Sequence, residues 1–115
     1  FDSGGSVITG AHIERAVIGE LILIRSGSTI RNSIIMGADY VEADEGKISR
    51  VQPAIGICRN CVIDRAIIDK NARIADGVVI TPEGKPRDLD AGNYFIRDGI
   101  VVVPKNAVIP AGFWI

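Results

Sequence analysis

Isoleucine or valine returns in this chain at a short, nearly fixed interval, and that interval narrows the possible folds sharply. It falls at Val7, Ile13, Ile18, Ile24, Ile30 and Ile35. It resumes at Ile57, Ile63, Ile68, Ile74 and Ile80, and ends with Val103, Ile109 and Ile115. Most steps are six residues, but Ile13–Ile18, Ile30–Ile35 and Ile63–Ile68 are five. Those three read as copies of one another, so the shortening belongs to the pattern. An amphipathic helix repeats its apolar positions at three and four residues, so this period excludes one.

Within the six-residue steps the fourth position holds Gly10, Leu21, Gly27, Asn60, Asn71, Gly77, Asn106 and Gly112. All but Leu21 are Gly or Asn, the residues that tolerate positive φ. The fifth position holds Ala11, Ile22, Ser28, Cys61, Ala72, Val78, Ala107 and Phe113, mostly small or apolar, as an inward corner site requires. Each unit is therefore a short strand, an apolar anchor and a left-handed bend. Steps of six, six and five residues close a 17-residue coil. Stacked coils make an all-β parallel solenoid of triangular section, with main-chain bonds running between coils about 4.8 Å apart. The pattern resembles the hexapeptide-repeat left-handed parallel β-helix. Its handedness is implied by that resemblance, because the usual crossover is right-handed.

With 115 residues the chain holds a single β-helix domain, 1–115. Aromatics are only 5%, which suits a narrow, repetitive aliphatic core. Thirteen basic and fourteen acidic residues give a net charge of −1, without the basic excess of a nucleic-acid binder. No apolar run is long enough to span a membrane. Phe1 to Gly5 is not a signal peptide and there is no initiator Met, so a C-terminal piece of a larger protein is expected. Two cysteines make no disulfide scaffold, and a cytoplasmic location is the expectation. Two segments, Gly37–Gly56 and Thr81–Gly99, break the period and read as long loops. The second returns through Asn93-Tyr94-Phe95-Ile96, which can add an edge strand.

Chemistry is sparse. The anchors Ile18, Ile35, Ile68 and Val103 start the same face in successive coils. Two residues beyond them one corner holds Glu20, Gly37, Lys70 and Lys105. Lys70 and Lys105 then sit one strand spacing apart, where two ammonium groups repel by roughly 1–4 kcal/mol and a bound anion reverses the sign. Asp69 can partly neutralise Lys70. A merely solvated lysine pair is the competing reading. His12 is the only histidine. It cannot supply the three ligands of a metal-dependent hydratase, but it keeps open a hexapeptide acyltransferase with one interface histidine. Cys58-Arg59-Asn60-Cys61 lacks the second pair zinc needs and the helix start of a redox motif, so a structural role is expected. There is no phosphate-cradling loop, nucleotide fingerprint or Ser-His-Asp set. No catalytic residue, metal or cofactor is expected.

Three segments are more specific than generic hexapeptides: Ile34-Ile-Met-Gly-Ala-Asp-Tyr40, Ile63-Asp-Arg-Ala-Ile-Ile-Asp-Lys-Asn-Ala-Arg-Ile74 and Gly99-Ile-Val-Val-Val-Pro-Lys-Asn-Ala-Val-Ile-Pro110. Together they resemble the C-terminal domain of the glucose-1-phosphate adenylyltransferase (ADP-glucose pyrophosphorylase) family. The resemblance implies an absent N-terminal catalytic domain that makes ADP-glucose for glycogen or starch. It also implies a β-helix that supports oligomer assembly and helps bind a phosphorylated effector or inorganic phosphate. The family's effector-binding lysines match Lys70 and Lys105, and an aspartate matches Asp69. Part of that site belongs to the catalytic domain, so weak effector binding is expected of this chain alone. The apolar run Leu21–Ile24 and the bulky Phe113 and Trp114 depart from the family pattern and read as sticky surface, so a homo-oligomer is expected. A purely structural solenoid is a third reading.

Overall fold

The computed structural model describes residues 7–8, 10–38 and 55–115. The short strands fall on three faces in rotation. β1 (Val7–Ile8), β4 (Leu23–Ile24), β7 (Gly56–Ile57), β10 (Arg73–Ile74) and β15 (Val108–Ile109) form one parallel sheet. β2 (His12–Glu14), β5 (Thr29–Arg31), β8 (Val62–Asp64) and β11 (Val79–Ile80) form the second. β3 (Val17–Glu20), β6 (Ile34–Gly37), β9 (Ala66–Ile68) and β14 (Ile100–Val103) form the third. No helix occurs among the described residues.

Register follows the anchors. Ile24 pairs with Ile57 and Ile57 with Ile74, which pairs with Ile109. Ile13, Ile30, Ile63 and Ile80 align on the second face. Ile18, Ile35, Ile68 and Val103 align on the third. Apart from the half-buried Ile13, these side chains are at most 2% exposed and stack as three columns in one shaft. Burying each isoleucine contributes about 1.5–3 kcal/mol. The first anchor departs from the sequence reading: Ile8, not Val7, pairs with Ile24. Ile8 is half-buried and packs on the core, so the end coil reaches its first column one residue later than the six-residue count expects.

All eight fourth-position residues have positive φ, between 57° and 77°. Leu21, the exception by residue type, obeys the bend at φ 57°. The five-residue steps bend too, at Arg15, Asn32 and Arg65, with φ 49–50°. Asn32 suits this conformation, but Arg15 and Arg65 carry no cue to it, because arginine does not favour positive φ. A side chain on Gly19 would run into the Met36 carbonyl of the next coil, which explains glycine in the middle of β3.

Two buried serines tie coil to coil. Ser28 Oγ donates to the Cys58 carbonyl at 2.6 Å and accepts the Cys61 N–H at 3.1 Å. Ser33 Oγ donates to the Arg31 carbonyl at 2.6 Å and accepts the Ala66 N–H at 3.1 Å. One coil after Ser28, Cys61 Sγ takes the same part, donating to the Ala75 carbonyl at 3.0 Å.

The expected loop over 37–56 is trimmed at both ends, since Gly37 closes β6 and Gly56 opens β7. Residues 39–54, which carry most of that expectation, lie outside the described residues. The segment expected as a loop over 81–99 contains two strands. β12 (Leu89–Asp90) and β13 (Phe95–Arg97) form an antiparallel ribbon on the outer edge of β14. Asp98 and Gly99, with φ 52° and 74°, make the two-residue turn from β13 into β14, as a tight hairpin requires. Ile96 is fully buried and continues the core, so the ribbon covers an edge that would otherwise stay open.

A leucine at positive φ costs about 1–2 kcal/mol relative to a permissive residue. Leu21→Asn is therefore expected to stabilise the fold by about 1 kcal/mol in urea denaturation. Ser28→Ala is expected to destabilise it by about 1–3 kcal/mol in the same assay, because two buried main-chain groups lose their partner.

Candidate functional site

The corner between β9 and β10 and its equivalent between β14 and β15 are built alike. Asn71 and Asn106 take the bends at φ 61° and 64°. The Asp69 N–H donates to the Val103 carbonyl at 2.9 Å, and the Asn106 N–H donates to the Lys70 carbonyl at 3.0 Å. These bonds place Lys70 and Lys105 at matching positions on neighbouring coils. Lys70 is half-buried and Lys105 exposed. One coil earlier Gly37 occupies the position and offers no side chain, and Glu20 lies a further coil back. The Asn71 N–H donates to the Gly37 carbonyl at 3.1 Å, which extends the same ladder.

Asp69 is turned to a structural task. Its Oδ1 accepts the Lys70 N–H at 2.6 Å. The carboxylate thus braces the main chain that presents Lys70 and leaves negative charge beside it. Chemically the corner carries two lysines at matching main-chain positions on adjacent coils, and lysine suits charge-assisted hydrogen bonds to a phosphate or a carboxylate.

The other candidates lie elsewhere. His12 sits on β2 with its side chain 68% exposed, 3.5 Å from Glu14 Oε2. Arg15 binds Glu14 from the other side at 2.9 Å. Both cysteines are free and buried, and burial pushes the Cys61 thiol up from its ordinary value. A buried, protonated thiol bonded to a carbonyl is neither a nucleophile nor a ligand. Among the described residues no group of His, Cys, Asp and Glu could hold a metal ion.

The sticky surface differs from the one expected. In the run Leu21–Ile24, Ile22 and Ile24 are core residues because strand alternation turns them inward. Phe113 is half-buried against the core and meets Tyr94 edge-on, with ring centroids 6.4 Å apart. Trp114 is 76% exposed. The larger apolar surface is the outer side of the third sheet, which sequence reading missed. Val17, Ile34, Ile67, Val102 and Phe95 align there across five strands, with Met36 and Ile100 also exposed. The cue was present in the doublets Val17-Ile18, Ile34-Ile35 and Ile67-Ile68, which make a strand apolar on both sides. No helix among the described residues is long and apolar enough to cross a membrane.

The GLGC left-handed parallel beta-helix domain model matches residues 2–114. The chain is also 40% identical over 113 residues to the glucose-1-phosphate adenylyltransferase small subunit, chloroplastic/amyloplastic, of Triticum aestivum. That alignment covers 94% of this chain and 24% of the wheat protein, so the chain spans about a quarter of its relative's length. The coil register and the positive-φ bends fit this match, and the match supplies the handedness: the chain belongs to the left-handed parallel β-helix domain family of glucose-1-phosphate adenylyltransferases.

Proposed function

We propose that this chain is the regulatory and assembly domain of a glucose-1-phosphate adenylyltransferase, and that Lys70 and Lys105, braced by Asp69, help hold an anionic effector. The observation that carries this reading is the register of the two lysines on one corner of adjacent coils. Their mutual repulsion, roughly 1–4 kcal/mol at close approach, is relieved when an anion lies between them. The effector is inorganic phosphate or a phosphorylated small molecule. The nucleotidyl transfer itself belongs to a catalytic domain outside this chain, which also completes the effector site. The acyltransferase alternative loses ground, since His12 stands in the open and the family assignment points elsewhere.

Titrating inorganic phosphate or 3-phosphoglycerate against the chain is expected to raise its melting temperature weakly. Lys70→Ala and Lys105→Ala are each expected to reduce that rise. Identical behaviour of the parent and both variants removes the effector reading.

Assembly is assigned to the outer side of the third sheet, whose aligned Val17, Ile34, Ile67 and Val102 favour a covered state. In the isolated chain a second copy covers it. Light scattering is expected to give a mass above one chain, and Ile34→Lys to shift it toward the monomer without unfolding. A monomeric mass for the parent chain at high concentration rejects this assembly surface.

A further inference from the structure

The corner between β4 and β5, repeated between β7 and β8, lies on a different edge of the triangular prism from Lys70 and Lys105. A recess of about 150 Å³ opens there, lined by Leu23, Ile24, Arg25, Ser26 and Arg59. The pairing of Ile24 with Ile57 places Ser26 beside Arg59 on the next coil. Two main-chain bonds hold this register: Arg25 N–H to the Ile57 carbonyl at 3.0 Å, and Asn60 N–H to the Ser26 carbonyl at 3.2 Å. Arg25 and Arg59 are therefore one coil and one residue apart, on opposite sides of residues 39–54 in the sequence.

The hydrogen bonds of both arginines to the described residues are made by their main-chain groups. The Arg59 N–H donates to Asp76 Oδ1 at 2.9 Å, which commits that carboxylate oxygen to the main chain. Both arginines line the recess. Each guanidinium is a planar fork matched to a tetrahedral oxyanion, and the Ser26 hydroxyl adds a neutral donor beside them. The partly buried Leu23 gives the recess an apolar wall, which a bare inorganic ion would not use. We propose that Arg25, Arg59 and Ser26 form a second anion site that takes a small phosphate monoester. Its phosphoryl group bridges the two coils and its carbon body lies on Leu23. This inference uses none of the residues assigned to the effector corner, and each stands or falls without the other.

The test is a titration of the isotope-labelled chain carrying Lys70→Ala and Lys105→Ala, followed by backbone amide NMR. Glycerol 3-phosphate is expected to shift the Ser26, Gly27 and Asn60 amides in a saturable manner. Inorganic phosphate is expected to do so with weaker affinity. Arg25→Gln or Arg59→Gln in the same background is expected to weaken binding roughly tenfold, the loss of one charged hydrogen-bond donor. Shifts that stay linear, that sodium chloride reproduces at matched ionic strength, or that survive both glutamine variants overturn the site. Equal affinity for inorganic phosphate and the ester overturns the assignment of an organic ligand.

Discussion

The structure depends on main-chain pairing between coils of equal length. Uninterrupted coils return to their corner after 17 residues, as from Ile13 to Ile30 and from Ile63 to Ile80, so an isoleucine lands on an isoleucine and main-chain bonds run from coil to coil. The pairing of Ile24 with Ile57, across residues 39–54, shows how strict this is. The pairing of Ile68 with Val103, across the β12–β13 ribbon, shows it again. Insertions leave and re-enter at a corner without moving the phase. A slip of one residue would turn the aliphatic columns outward, and burial of the shaft forbids it.

Bending so often requires unusual main-chain conformations, and the chain spends side-chain chemistry on them. Asn60, Asn71 and Asn106 adopt them readily, whereas Leu21, Arg15 and Arg65 do so under strain. The arginine bends gain partners at their corner. Arg15 Nε donates to Asn32 Oδ1 at 2.7 Å, and Arg65 Nε donates to Asp64 Oδ2 at 3.1 Å. Asp64 also accepts longer contacts from Asn32 and Thr81 at 3.5 Å, so a polar ladder climbs the edge where the five-residue steps turn. Among the described residues, no buried polar side-chain atom lacks a hydrogen bond.

The repetition that builds the core also builds surfaces. A residue type recurring at one position becomes a column, and columns at corners concentrate charge. Lys70 and Lys105 are one case, and Arg25 and Arg59, one coil and one residue apart, meet at another corner. Residues outside the columns do the same on the faces, where Val17, Ile34, Ile67 and Val102 make the third sheet apolar outside as well as inside. The other sheets carry Glu14, Thr29, Arg31 and Arg73 at outward strand positions. The third sheet is thus apolar on both sides, while charge gathers at the corners.

The step length and the Gly or Asn bends made the coil, the anchors Ile18 to Ile115 and the shared corner of Lys70 and Lys105 legible in the sequence. These are properties of a local period, and a period can be counted along one dimension. Ile8 replacing Val7, the bends at Arg15 and Arg65, and the antiparallel ribbon on β14 were not legible, because each depends on what lies in the neighbouring coil. The same holds for the recess between Arg25 and Arg59, whereas the inward turn of Ile22 and Phe113 follows from the fifth position of the repeat. Local periodicity determined which residues build the shaft. Only the stacking of coils decided which remaining side chains meet, since residues far apart in sequence become neighbours through the ladder between them.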